Sequence, residues 1–279
     1  MDATLADYLR AVALGVIQAV TEFLPISSSG HLVLAPRILG DEVSSLTFDV
    51  GLHLGTLVAV LGYFWRDWWR ILSAGIADLL RHGPRVARWG GDARLGLWLA
   101  VGTLPAVVFG LLAQDAVEER FRQPAVVAVM LILFSLVIEA GDRLGGTGRE
   151  VERMGVRRSL FVGAAQALAL IPGVSRSGAT ITAARLAGYD RPSAARFSFL
   201  LSAPVILGAG VFRFADALGG DETVMWGPLL VGALTAALVG AAVIRGLLGF
   251  LQTRTLRVFV WYRIALGLVV LGAVAAGII

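Results

Sequence analysis

The sequence predicts an all-α polytopic membrane protein built as an inverted repeat, with one re-entrant helical hairpin plus three transmembrane helices per half. Three observations carry that prediction. Apolar residues fill 57% of the 279 positions and charged residues 16%, a balance foreign to soluble domains. Six stretches are long and apolar enough to cross a bilayer. A Gly–Gln–Ala…Ser–Ser–Gly pattern occurs twice at a constant offset of 148: Gly15, Gln18, Ala19, Ser27, Ser29 and Gly30 against Gly163, Gln166, Ala167, Ser175, Ser177 and Gly178.

Taken in order, the chain opens MDATLADYLR, acidic rather than basic, so no signal peptide is expected. The first apolar stretch, Ala11 to Leu24, is too short for a normal span and reads as one arm of a hairpin that breaks at Pro25. Six spans follow at about Phe48–Trp65, Leu95–Ala113, Pro124–Ala140, Phe197–Phe212, Gly227–Ile244 and Val258–Ile279. Phe48 and Leu52 echo Phe197 and Leu201 at an offset of 149, and Gly102 to Gly110 echoes Gly232 to Gly240 at 130. The change of offset predicts a longer connection in the first half, around residues 66–94. The whole chain, 1–279, then forms a single integral-membrane domain with repeats at about 1–140 and 158–279, joined by a cytoplasmic loop over 141–157.

Charge sets the expected orientation. Every basic side chain is Arg, with no Lys, and the net charge is +4. These arginines sit in short loops between apolar spans, which points to topology and away from nucleic acid. Arg66, Arg70, Arg81, Arg85, Arg88 and Arg94 fill one connection, and Arg143, Arg149, Arg153, Arg157 and Arg158 fill another. Residues 213–226 are acidic, with Asp216, Asp221 and Glu222. The positive-inside rule puts the Arg-rich loops in the cytoplasm and both chain ends outside. Residues 1–47 then enter and leave from the outside, and residues 158–196 from the cytoplasm. Two broken hairpins from opposite faces meet near the midplane, where inverted-repeat proteins place their sites. Trp65, Trp68, Trp69, Trp226 and Trp261 lie near span ends, as interfacial anchors do.

The chemistry concentrates at the two hairpin tips. A charged side chain at membrane depth costs roughly 2.5–3.5 kcal/mol on insertion scales, so Arg176 is a functional candidate. It is wrapped in Gly173, Ser175, Ser177, Gly178 and Thr180, which with free amides at a helix break make an anion site suited to phosphate. In the first hairpin, Gln18 and Glu22 share a helix face, and the break presents Ser27, Ser28, Ser29 and His31. A carboxylate, hydroxyls and an imidazole can supply acid, base and nucleophile. Neither charge has a local partner, so Glu22 and Arg176, 154 residues apart, are expected to meet. Asp49 and His53, four apart, could line the same cavity or hold a cation. The absence of Cys excludes thiol chemistry, and no Walker A, HExxH or GxSxG pattern occurs.

These residues resemble the membrane undecaprenyl-diphosphate phosphatases, also called bacitracin-resistance proteins. The first family motif, Glu or Gln followed four residues later by Glu, is matched by Gln18-Ala-Val-Thr-Glu22 and continues through Phe23 to His31. The second, PGxSRSxxT, is matched by Pro172 to Thr180, and Phe48 to Thr56 is also similar to the family, which often has Glu and Gln where this chain has Asp49 and His53. The resemblance spans essentially the whole chain. It implies a multi-pass plasma-membrane enzyme that hydrolyses undecaprenyl diphosphate to the monophosphate and inorganic phosphate, recycling the lipid carrier of cell-wall synthesis and conferring bacitracin resistance.

On that resemblance, the expected catalytic residues are Glu22, Ser28, His31 and Arg176. Gln18, Ser27, Ser29, Gly173, Ser175, Ser177 and Thr180 would bind the polyprenyl diphosphate. Ser28 or an activated water would be the nucleophile, His31 the acid or base, and Glu22 would orient it or hold a cation. The family is generally cation-dependent, which implies Mg²⁺ or Ca²⁺ on oxygen ligands, Glu22 and Asp49 among them. Many members carry a first Glu where this chain has Gln18, which can be neither a base nor an anionic ligand. The topology points the site toward the periplasm or cell exterior, and a monomer and a homodimer are both compatible with the sequence. The competing class is a transporter or flippase of a polyprenyl phosphate, which would use the same architecture and anion contacts. Transport does not require the Glu22–Ser28–His31 group.

The Arg distribution makes a direct prediction. A reporter fused within 141–158 should read as cytoplasmic and one fused near residue 220 as external, in a paired activity assay of the two fusions. Opposite readings at both positions would reverse the orientation and the outward-facing site.

Overall fold

The computed structural model describes residues 3–28, 30–31, 46–121, 123–146, 148–218 and 225–278, and these are helical with no β-strand among them. Ten helices are described: α1 (Leu5–Phe23), α2 (Leu46–Tyr63), α3 (Trp65–His82), α4 (Gly91–Phe121), α5 (Pro124–Leu144), α6 (Val156–Ala167), α7 (Arg176–Leu186), α8 (Arg191–Leu218), α9 (Trp226–Thr253) and α10 (Arg257–Ala275). A short 3₁₀ turn, Leu168–Leu170, ends α6.

Five segments are long and apolar enough to cross a membrane: Gly91–Ala113, Pro124–Leu144, Arg191–Val211, Trp226–Phe250 and Arg257–Ala275. A sixth becomes available if α2 and α3 count as one bent span. The chain is a multi-pass membrane protein. Its helices run further than the apolar stretches, since α4 continues to Phe121 and α8 to Leu218, through positions where the charge pattern predicts loops. Backbone hydrogen bonding need not stop where apolarity does, and Glu, Arg and Ala are good helix formers.

Residues 66–94, expected as a connection, are also largely folded. At Phe64 the chain bends 75° into α3. This helix is amphipathic, exposing Trp65, Trp69, Leu72, Ile76 and Leu79 at helical spacing beside Arg66, Arg70 and Arg81. That pattern suits a helix lying at a membrane surface rather than a plain loop. Asp67 ties it to α8 through Arg196 at 2.6 Å.

Helices from the two ends of the chain interlock. α1 packs on α9 and α6 on α4, while α5 pairs with α10 and α2 with α8. Glycine makes the first two contacts possible. A Cβ at Gly15 would collide with the Gly232 carbonyl, and one at Gly163 with the Gly102 carbonyl. These four are the same glycines that echo between the halves of the sequence, and small residues of this kind let membrane helices approach backbone to backbone. Around them Phe23, Phe64 and Phe199 form an aromatic nucleus, with Phe23 and Phe199 edge-to-face at 5.6 Å.

At the Arg-rich end, Asp142 anchors the base of the second hairpin. Its carboxylate accepts from Arg191 at 2.7 Å and from the Leu256 amide at 3.1 Å. Arg185, fully buried, donates to the Tyr189, Gly145 and Gly146 carbonyls and to that of Asp142.

Close approach predicts a sharp contrast among glycine substitutions. Gly163→Val should lower stability by about 1–3 kcal/mol, the usual cost of overpacking. Gly62→Ala has nothing within 4 Å of the new Cβ and should be neutral or stabilising. Thermal midpoints in detergent decide this, and equal midpoints for the two variants would contradict the packing.

Candidate active site

The first tip follows from three residues. α1 starts on a capping box between Thr4 and Asp7 and runs unbroken to Phe23. Leu24, preceding Pro25, is extended, as the proline ring demands. Ser27 then takes a positive φ of 79°, a left-handed conformation rare for a residue with a side chain. Its hydroxyl accepts from the Gly30 amide at 3.3 Å as helical structure resumes at Ser28.

The second tip repeats this geometry. Ser175, at the position matching Ser27, has φ 75°, and its hydroxyl accepts from the Gly178 amide at 3.1 Å to cap α7. Ser27 and Ser175 are the only positive-φ residues other than glycine among the described ones. Gly173, with φ 95°, is pressed against the Val127 carbonyl of α5. A side chain there would be both strained and blocked.

The tips meet on Glu22. Its carboxylate is buried, and Oε1 accepts from Arg176 Nη2 at 2.8 Å and Nε at 3.2 Å. Oε2 accepts from the Ser28 hydroxyl at 2.6 Å and from Gln18 Nε2 at 3.3 Å. Beside it, His53 Nε2 lies 3.9 Å away. The His53 Nδ1 faces the Asp49 carbonyl at 2.8 Å and therefore carries a proton, leaving Nε2 turned to the carboxylate. Two polar atoms here have no protein partner although buried, Arg176 Nη1 and Gln18 Oε1. A guanidinium edge without a partner beside a hydroxyl held by a carboxylate is an arrangement for gripping and attacking a phosphoryl group.

The other expected residues divide into those that face this centre and those that build its frame. Ser177 donates to the Leu24 carbonyl at 3.0 Å and ties one tip to the other. Thr180 is fully buried, donating to the Arg176 carbonyl at 2.7 Å and meeting Ser198 Oγ at 2.6 Å. Ser27, Ser175 and Gly173 shape the two turns. His31 engages neither Glu22 nor Ser28 by a hydrogen bond: its Nδ1 donates to the Ser27 carbonyl at 2.7 Å, and Nε2 meets the Tyr262 hydroxyl at 2.7 Å with the rings stacked. Ser29 lies outside the described residues.

Asp49 reaches the site through its backbone carbonyl, which holds His53. No group of three or more His, Cys, Asp or Glu that could cage a metal occurs among the described residues. One carboxylate, the free Gln18 oxygen and nearby hydroxyls nevertheless suit a cation of the Mg²⁺ kind, which takes much of its shell from substrate phosphates and water.

Three residues here give little or no signal in the sequence. His53 was visible through its spacing from Asp49. Tyr262 gave no signal. Arg263, completely buried in α10, carried the same mark as Arg176, a charge inside an apolar span, but was hidden among the arginines that precede that span.

Comparison with known proteins places the chain. The family model for bacitracin resistance protein BacA matches residues 11–269. A protein named undecaprenyl-diphosphatase from Nocardioides sp. is 44% identical over 275 residues, covering 99% of each chain. Proteins of the same name from Desulforudis audaxviator and Mycolicibacterium vanbaalenii are also 44% identical, over 94% and 98% of this chain and 96% and 99% of their own. With both motifs at one buried centre and similarity from end to end, the chain belongs to the bacitracin resistance protein BacA family.

Proposed function

We propose that this chain hydrolyses undecaprenyl diphosphate to undecaprenyl phosphate and inorganic phosphate, returning the lipid carrier to cell-wall synthesis. The observation that carries the reading is the shared carboxylate of Glu22, which holds the Ser28 hydroxyl at 2.6 Å and Arg176 at 2.8 Å. The curated relatives bear the name of this activity, and the polyprenyl tail needs no soluble domain because it partitions into the bilayer with its diphosphate at the headgroup. The Arg-rich loops support a site that opens to the periplasm or cell exterior, in the plasma membrane.

In the mechanism that fits these contacts, the terminal phosphate takes Arg176 Nη1 and draws the guanidinium toward it, neutralising charge on its oxygens. Glu22 removes the Ser28 proton as Oγ bonds to the terminal phosphorus. The bridging P–O bond breaks, and the polyprenyl phosphate leaves with the electron pair and takes up the proton. Glu22 then removes a proton from water, which attacks the phosphoserine; the P–Oγ bond breaks, Ser28 regains its proton and inorganic phosphate departs. This assigns Glu22 the base role expected of His31, because Ser28 donates to Glu22, whereas His31 is engaged with Tyr262. A divalent cation, held by Glu22, the Gln18 oxygen and the phosphates, would further neutralise the diphosphate.

Purified protein in detergent should release inorganic phosphate from a polyprenyl diphosphate, where no two compartments exist for transport. No release by folded protein with divalent cation supplied would favour the transporter reading. Arg176→Lys should lower kcat by about 10²-fold or more, since an ammonium lacks the planar fork that holds Glu22 and phosphate together. Ser28→Ala should lose turnover and keep substrate binding. Near-normal rates in either variant would rule out the shared-carboxylate site. Gln18→Glu should keep activity within about tenfold and increase the dependence on divalent cation, because two adjacent carboxylates need a proton or a cation between them. An inactive, folded Gln18→Glu would mean that the site is built around the amide.

A further inference from the structure

We infer that Arg263 is a positioning residue that holds the two broken hairpin tips in register, and so sets the spacing of Ser28 and Arg176. This rests on the reading that the tips form the reaction site.

Arg263 lies inside the apolar α10 and is 0% exposed. No carboxylate pairs with it among the described residues. Its guanidinium is spread instead over three elements. Nε donates to Ser135 Oγ of α5 at 3.0 Å, Nη1 to the Pro25 carbonyl at 3.4 Å, and Nη2 to the Gly173 and Val174 carbonyls at 2.7 and 3.3 Å. An unpaired charge at this depth is costly, and it persists only where several fixed partners compensate it.

The choice of partners is informative. The helix breaks at Pro25 and Gly173 leave carbonyls outside the regular helical ladder, able to accept from a side chain. Pro25 and Gly173 are also equivalent positions, 148 apart, in the two repeats. Each lies three residues before the group its tip contributes, Ser28 in one case and Arg176 in the other. One rigid planar group therefore grips the same backbone position of both hairpins and fixes the distance between them. Besides Glu22–Arg176, Ser177 also ties the tips directly, donating to the Leu24 carbonyl. A residue that served only to stabilise α10 against α5 would need Ser135 and neither tip.

The test uses full-length Arg263→Gln, Arg263→Lys and Ser135→Ala in detergent, with Arg176→Lys alongside. Hydrogen exchange on peptides covering Leu24–Ser28 and Pro172–Gly178 reads tip register without any activity. Arg263→Gln should speed exchange at both tips together, whereas Ser135→Ala should leave them close to wild type. In turnover, Arg263→Gln should lower kcat about 10²-fold with KM within about threefold, the signature of misplaced reacting groups. Arg263→Lys, which keeps charge but cannot span both tips, should fall by about tenfold. Should Arg263→Gln fail to fold, Arg263→Lys decides by the same two readouts. Unchanged exchange at either tip, or a folded variant with wild-type kcat, overturns the inference. Absence of phosphate release by the wild type would instead overturn the proposed function and leave the exchange result to judge Arg263.

Discussion

The contact on which the rest depends is the ion pair between Glu22 and Arg176. It joins residues 154 positions apart, each beside one of the two helix breaks, at 2.8 Å in a buried setting. Burial raises the stakes on both sides. Removing one partner from such a pair typically costs about 3–5 kcal/mol because the other charge is left unpaired. The hairpins are therefore useful only together. The same carboxylate also fixes the Ser28 hydroxyl and Gln18, so structural and chemical demands fall on one side chain.

Bringing two backbones to that point requires small residues in the right register. Gly15 on Gly232 and Gly163 on Gly102 let each hairpin helix lie directly against a span of the opposite half. The tips themselves are held in left-handed turns by serine, and the caps at Gly30 and Gly178 recover part of the cost. What the repeat conserves internally is this scaffold. The chemistry has diverged: Leu170 stands opposite Glu22, and Arg176 opposite Ser28. One copy supplies carboxylate and hydroxyl, the other a cation. Identical tips would have placed like charges together, whereas the asymmetric pair makes an electrostatically closed site with an edge left for an anion.

Much of the hydroxyl complement near the centre serves architecture. Ser177 ties the tips, Thr180 packs on Ser198, and Ser175 caps α7. This explains how hydroxyls can crowd a segment of an apolar protein: those of Ser175, Ser177 and Thr180 each have an internal partner. Buried polar atoms without a hydrogen-bond partner include Arg176 Nη1 and Gln18 Oε1 beside the reactive hydroxyl, and also both side-chain atoms of the Gln166 amide, Thr182 Oγ1 and Arg185 Nε in the second hairpin segment.

Composition and periodicity by themselves determined the membrane class, five of the spans to within about two turns, and the two helix breaks at Pro25 and Gly173. The pairing of Glu22 with Arg176 was also legible, because two lone charges in apolar surroundings have few other ways to be satisfied. Only the tertiary structure decided how the remaining polar groups divide between ligand and frame. A serine or threonine that caps a helix and one that binds phosphate look alike in sequence, since both need one hydroxyl near free amides. His31 shows the same limit, for its partner Tyr262 lies 231 residues away and nothing local announces it. Arg263 was hidden for a related reason: its partners are backbone carbonyls, whose availability depends on where distant helices break.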